Sequence, residues 1–164
     1  FNKINLITCH LGGGSSVTAI KKGKAIDTSM GFTPLEGVTM MTRPGNIDPG
    51  ILLELFKYYN YDTINKVLNY ESGLKALSGH EKMLDILKDK KAEKALQFYI
   101  YQIQKYIGAY LTILKECQAI VYTGTIGYGS SKIRRMINKN FKLKSLAIEP
   151  NEELAIAEKI CKKY

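Results

Sequence analysis

The chain has 164 residues, enough for one domain with a real core. Its 45% hydrophobic and 24% charged content is that of a soluble globular protein and excludes wholesale disorder. No apolar run approaches about 20 residues, which excludes a membrane-spanning helix. The net charge of +9 is densest between Lys132 and Lys144, where Lys132, Arg134, Arg135, Lys139, Lys142 and Lys144 occur with no acid among them. With no aromatic platform and no nucleic-acid motif beside it, this run reads as a solvated helix face.

The opening FNKINLITCHLGGG has neither a basic-then-apolar leader nor an initiator methionine, and it enters an apolar strand almost at once. The expectation is a chain cut from something longer. Lys3–Cys9, Ser16–Lys21 and Lys24–Thr28 are predicted strands, the first two joined by Gly12-Gly13-Gly14 and the last two by Lys22-Gly23. Ser29–Pro49 is predicted to be a long non-helical passage whose apolar residues (Met30, Phe32, Leu35, Val38, Met40, Met41) argue for order. Asp48 and Pro49 have the signature of a helix start, so Ile51–Tyr59 is predicted helical, followed by Tyr61–Asn69. Glu71–Gly79 reads as a glycine-punctuated loop and Glu81–Leu87 as a weak helix. Lys91–Lys115 is a strong helix, with Leu96, Ile100, Ile103, Ile107, Leu111 and Leu114 at steps of three or four. Gln118–Tyr122 is predicted to be a buried strand ending in TGTIG. Helix Ser131–Asn138, a short strand near Leu143–Ile148 and helix Asn151–Lys162 close the chain.

Cys9, Cys117 and Cys161 are odd in number, far apart and without a CxxC pair. That pattern excludes a disulfide framework and a zinc site and fits a reducing, cytoplasmic compartment. Cys9, beside the glycine turn, is read as a small buried hydrophobe.

Two segments could carry chemistry. In His10-Leu11-Gly12-Gly13-Gly14-Ser15-Ser16, consecutive glycines let backbone N–H groups approach a polyanion, and His10 can donate to a phosphoryl oxygen. The segment is neither a Walker A loop nor GxGxxG; taken alone it is equally a plain tight turn. In Thr42-Arg43-Pro44-Gly45-Asn46-Ile47-Asp48-Pro49, Arg43 lies in a stiffened loop. A planar fork held in place there suits a phosphoryl group, although a surface arginine capping a turn has the same appearance.

Together these segments resemble the acetate kinase family, in order and spacing. His10–Ser16, then Asp27-Thr28-Ser29-Met30-Gly31-Phe32-Thr33-Pro34-Leu35-Glu36-Gly37, then Thr42–Pro49 carry the resemblance. Glu71-Ser72-Gly73-Leu74, Leu77-Ser78-Gly79, Tyr106–Tyr110 and Asn151-Glu152-Glu153-Leu154 extend it over nearly the whole sequence. The resemblance implies an α/β, ribonuclease-H-like fold of the sugar kinase, Hsp70 and actin superfamily. One domain, 1–164, would hold a mixed sheet with flanking helices and correspond to the family's carboxy-terminal nucleotide-binding domain. It implies reversible phosphoryl transfer between ATP and acetate, with ATP and Mg2+ as cofactors. By the match, His10, Leu11, Gly12, Gly13 and Gly14 form the phosphate-binding loop and Gly127 belongs to the nucleotide site. Arg43 is the catalytic arginine and Glu152 helps hold the metal, although Glu152 reads equally as an acid in the first turn of a helix. The resemblance implies ATP or ADP and a short carboxylate as partners, a homodimer, and no membrane or nucleic acid.

Family members are more than twice this long. The carboxylate-binding arginine, the catalytic aspartate and a second transition-state histidine belong to the half not represented here, so catalysis is expected to require that half. The family's SxDMRDI is replaced by His80-Glu81-Lys82-Met83-Leu84-Asp85-Ile86, and its TGGIGEN by Thr123-Gly124-Thr125-Ile126-Gly127-Tyr128-Gly129. The stretch between Ile137 and Ile148 is shorter than the family's. The phosphate end of the site keeps the pattern and the nucleoside end departs from it. A non-catalytic, dimer-forming remnant is therefore the alternative reading.

Overall fold

The computed structural model describes residues 4–161, the side chains of Glu152 and Ala155 excepted. Its frame is a five-stranded mixed sheet in the order β3-β2-β1-β4-β5. Strand β1, Leu6–Leu11, alternates strictly and turns Ile7, Cys9 and Leu11 into the core. Strand β2, Ser15–Lys21, returns antiparallel to it, with Leu6 opposite Ile20 and Leu11 opposite Ser15. Strand β3, Lys24–Thr28, follows through Lys22 and Gly23, both with positive φ, and its side chains are exposed throughout. On the other side of β1 lies β4, Ala119–Thr123, parallel to it, and beyond that β5, Lys144–Ala147, parallel again.

Helix α5, Glu93–Leu114, is the other half of the core. Leu96, Tyr99, Ile100, Ile103, Ile107, Tyr110 and Leu114 bury one stripe of it, and it packs on β2. Helix α1, Pro49–Leu55, buries no residue, and α2, Tyr61–Tyr70, buries only Ile64. Their starts are capped as the sequence predicts for α1: Asp48 accepts from the Gly50 N–H, and Asn60 accepts from Thr63. Residues 29–48 form neither helix nor strand, yet Val38, Met40 and Met41 are buried, so the passage is ordered by its apolar side chains. Phe32 is the exception, fully exposed.

Two segments not predicted to be helical are helices, the Glu71–Gly79 loop and the TGTIG end of the buried strand. Glu71–Gly79 contains α3, Gly73–Ser78, and the TGTIGYG segment contains α6, Gly124–Gly129. In both, a glycine that reads as a breaker stands at the first helical position with positive φ, 65° at Gly73 and 80° at Gly124. Gly79 then closes α3 as a left-handed cap. The weak helix shrinks to α4, Met83–Ile86, followed by a 3₁₀ turn at Lys90–Ala92. Helix α7, Ser131–Asn138, presents Lys132 and Arg135 to solvent, and Lys139 caps its end. The rest of the basic run leaves the helix face: Lys142 lies in the loop after it and Lys144 opens β5, both exposed. Arg134 also departs from the reading of a solvated face: its guanidinium folds back to the carbonyls of Gly127 and Tyr128 at the end of α6. Helix α8, Glu152–Cys161, ends the described chain. Among the described residues no helix is long and apolar enough to cross a membrane.

Candidate functional site

Where β1 ends, the chain turns in three glycines. The Gly12 N–H donates to the Gly14 carbonyl at 2.9 Å, closing the turn on itself. Ser15, fully buried just after it, shares a hydrogen bond of 3.3 Å with the Tyr99 hydroxyl of α5. The core thus holds the turn from below, and Gly13 at its tip is exposed. A Cβ at Gly13 would meet no atom within 4 Å, whereas one at Gly12 would reach Gly14 O and Thr125 Oγ1 at 3.5 Å. The bare surface opens on a cleft of about 670 Å³ between His10 and the turn, the start of α6 at Gly124 and Thr125, and the start of α8 at Asn151 and Glu153. Asn151 caps that last helix, accepting from the Leu154 N–H at 3.1 Å. A cradle of backbone N–H groups without Cβ atoms suits an anion.

The arginine loop meets the glycine turn from behind. The Met41 N–H donates to the Gly13 carbonyl at 3.2 Å, and a Cβ on Gly14 would lie 3.7 Å from Arg43 Nη1. The guanidinium therefore lies against the turn. It is half-buried, donates to the weakly accepting thioether of Met40 at 3.5 Å, and joins no ion pair among the described residues. Its positive charge is available to an anion in the cradle.

Helix α3 sets the tip of that loop. The N–H groups of Ser72, Leu74 and Lys75 donate to the carbonyls of Thr42, Met40 and Met41 at 3.0, 2.9 and 2.8 Å. A helix start leaves its first N–H groups unpaired, and here the arginine loop takes them. Gly73 permits the approach, since a Cβ there would fall 2.3 Å from Met40 O and 2.6 Å from Arg43 O.

Of the residues picked out in the sequence, His10, Gly12, Gly13 and Gly14 line the cleft, and Arg43 backs it. The Leu11 side chain is fully buried in the core, while its carbonyl faces Gly124. Gly127 is buried where α6 crosses β1, close to the Cys9 carbonyl and Leu11. The Glu152 side chain lies outside the described residues; the neighbouring Glu153 lines the cleft. Among the described residues no group of three or more His, Cys, Asp or Glu could hold a metal ion. A magnesium ion fits such a place only with phosphate oxygens and water as most of its ligands, which is its ordinary mode. Cys9 is fully buried, and burial pushes its thiol well above the usual range, so it is a core residue. Gly73 and Gly124 were legible in the sequence as breaks and as parts of the family pattern, but not as helix starts, and the pairing of Ser15 with Tyr99 carried no signal.

Three of the residues that depart from the family pattern meet in a second cleft of about 330 Å³, which Tyr128 and Gly129 do not line. Lys82, Leu84 and Thr125 line it together with Gly13 and Met41, on the other side of the glycine turn.

A model of the acetokinase family matches residues 1–163. The acetate kinase of a Sulfurovum strain is 49% identical over 141 residues, which is 82% of this chain and 36% of that protein. The acetate kinase of Carboxydothermus hydrogenoformans is 40% identical over 190 residues, 96% of this chain and 48% of that protein. Among solved structures, acetate kinase from Porphyromonas gingivalis superimposes with a TM-score of 0.90 at 29% identity, over 96% of this chain and 48% of that one. A Francisella tularensis propionate kinase gives 0.88 at 33% identity, over 94% and 48%. The mixed sheet with flanking helices is the architecture these kinases share. This chain spans about half the length of such relatives, or less. On the family match and on the glycine turn and arginine loop that it covers, the chain belongs to the acetokinase family.

Proposed function

We propose that the chain supplies the phosphate-binding side of a kinase that moves a phosphoryl group reversibly between ATP and a short carboxylate, acetate by the relatives' names. The observation that carries this reading is the guanidinium of Arg43 set against the glycine turn, 3.7 Å from where a Gly14 Cβ would stand. Backbone N–H groups of the turn, other than that of Gly12, which donates to Gly14 O, bind and orient the phosphates together with the His10 ring. Arg43 offers two parallel N–H donors and a permanent charge to the group in flight. Such transfer is mostly positioning and charge stabilisation, and one well-placed arginine is worth roughly 10³–10⁵ in rate. Magnesium, when bound, would neutralise phosphate charge; Glu153 at the cleft, with Glu152 beside it in sequence, would be the carboxylate source for it. The carboxylate site and the remaining catalytic groups belong to the half of the relatives that this chain does not span. The assembled enzyme is a cytoplasmic homodimer in this reading, which the three unpaired cysteines and the family match support.

Calorimetric titration with ATP and magnesium tests the phosphate site directly. Arg43→Ala and His10→Ala are each expected to weaken binding about tenfold, the loss of one charge-assisted hydrogen bond. A chain that releases no heat at millimolar nucleotide lacks the site.

A second reading, a non-catalytic module that kept the fold, draws on the second cleft. Lys82, Leu84 and Thr125 stand where the family pattern expects Asp, Arg and Gly, and an unmatched polar partner costs a ligand about 1–3 kcal/mol. Under that reading nucleotide binding is absent and self-association, seen by sedimentation, is retained.

A further inference from the structure

The arginine loop is fastened at a second place, away from the cleft. Its two arms run side by side as a short ladder. Gly37 and Asn46 make the first rung twice over: the Asn46 N–H donates to Gly37 O, and the Gly37 N–H donates to Asn46 Oδ1, both at 2.9 Å. The Thr39 hydroxyl donates to Pro44 O at 2.9 Å, and the Met40 N–H donates to Arg43 O at 3.0 Å. Arg43 stands at the closed end. Gly37 and Gly45 let the arms touch: their φ angles are +110° and +77°, and a Cβ at Gly45 would fall 2.6 Å from Gly37 O.

The first rung is joined to α5. The Asn46 side-chain amide donates to the Tyr106 hydroxyl at 2.9 Å, and that hydroxyl lies 3.3 Å from Asn46 Oδ1. Tyr106 rises from the helix between Ile103 and Ile107, both fully buried, and its ring lies 5.9 Å from that of Tyr110. Its backbone is thus as fixed as the core. The hydrogen bond itself is at the surface, where water competes and little stability is gained. Its consequence is geometric. The ladder's open end is held by Tyr106 and its closed end by the N–H groups of α3, so the loop is fastened at both ends to packed helices.

We infer that Tyr106, acting through Asn46, is a positioning residue for Arg43. The hydroxyl touches neither cleft; it fixes the ladder so that the guanidinium rests against Gly14. The bearing of this on phosphoryl transfer rests on the function proposed above, whereas the positioning stands on geometry alone.

The chain has three arginines, Arg43, Arg134 and Arg135, so a side-chain Nε–Hε spectrum of the nitrogen-15-labelled protein is simple to assign. Tyr106→Phe keeps the ring and removes the hydroxyl. It is expected to shift or broaden the Arg43 signal without nucleotide present, leaving that of Arg134 in place on the α6 carbonyls. Asn46→Ala should reproduce the effect. In titrations with ATP and magnesium, Tyr106→Phe is expected to weaken binding several-fold in the wild-type background and not at all in Arg43→Ala. An unmoved Arg43 signal in both variants overturns the inference, as does an equal loss of affinity with and without Arg43. If the wild-type chain binds no nucleotide while Tyr106→Phe still moves the Arg43 signal, the proposed function falls and the positioning role holds.

Discussion

A methyl group at Gly124 would lie 2.5 Å from the Leu11 carbonyl oxygen, and Gly124 has φ near +80°; at Gly13 the same group would meet nothing within 4 Å. The two glycines therefore answer to different demands, one to the fold and one to whatever enters the cleft. Gly124→Ala is expected to lower stability by about 1–3 kcal/mol, read from urea unfolding. Gly13→Ala should leave stability within about 0.5 kcal/mol of the parent and still weaken nucleotide binding, because its Cβ occupies the cradle. The same unfolding and titration experiments check both. The sequence made the glycine turn and Arg43 legible, since a run of three glycines after an apolar strand and an arginine between stiff residues are local patterns. It did not make Gly73 and Gly124 legible as helix starts. Their reason is a carbonyl from a distant segment, Met40 O for one and Leu11 O for the other, and no local pattern records that.

Among the elements, legibility followed amphipathicity. Helix α5 shows its buried stripe in the spacing of its apolar residues, and β1 shows its core face by alternation. Helices α3 and α6 are six residues each, too short to display a period, and their glycines disguise them. The junction between α3 and α5 is held by a hydrogen bond of 2.9 Å between His80 Nε2 and Asp89 Oδ2, while Asp89 Oδ1 accepts from the Lys91 N–H that opens the 3₁₀ turn. The His80 hydrogen bond first, and the Lys91 N–H second, hold the Asp89 carboxyl below the usual carboxylate range. A group whose folded pKa is depressed stabilises the fold above its unfolded pKa, about 3.9 for Asp, and that contribution disappears as acid takes the pH down through the lower folded value. Asp89→Asn is accordingly expected to flatten the acid side of a melting-temperature profile below about pH 4, with its largest loss of stability at neutral pH. A parallel profile for the variant would mean that the junction gains nothing from the charge.

At the scale of the whole molecule, the chain is a sheet with one well-covered face and several exposed apolar residues elsewhere, among them Leu53, Tyr58 and Tyr61 at 71%, 71% and 68% exposure on or beside α1 and α2. Its matched relatives are about twice as long. The sheet's order also sets the sequence of events in folding. Strand β1 meets β2 across three residues, but Asn5, at its start, meets Gln118, at the start of β4, across a separation of 113. Closing a loop costs entropy that grows with its length, so the β1–β3 meander can form at once and the central parallel pairing must wait. Pulse-labelled hydrogen exchange during refolding is expected to protect amides of β1 and β2 before those of β4; simultaneous protection would refute this order. Helix α6 follows β4 directly and forms one wall of the cleft. The glycine turn would then exist early as an open shelf, and the anion cradle would be finished only by the late arrival of its far wall.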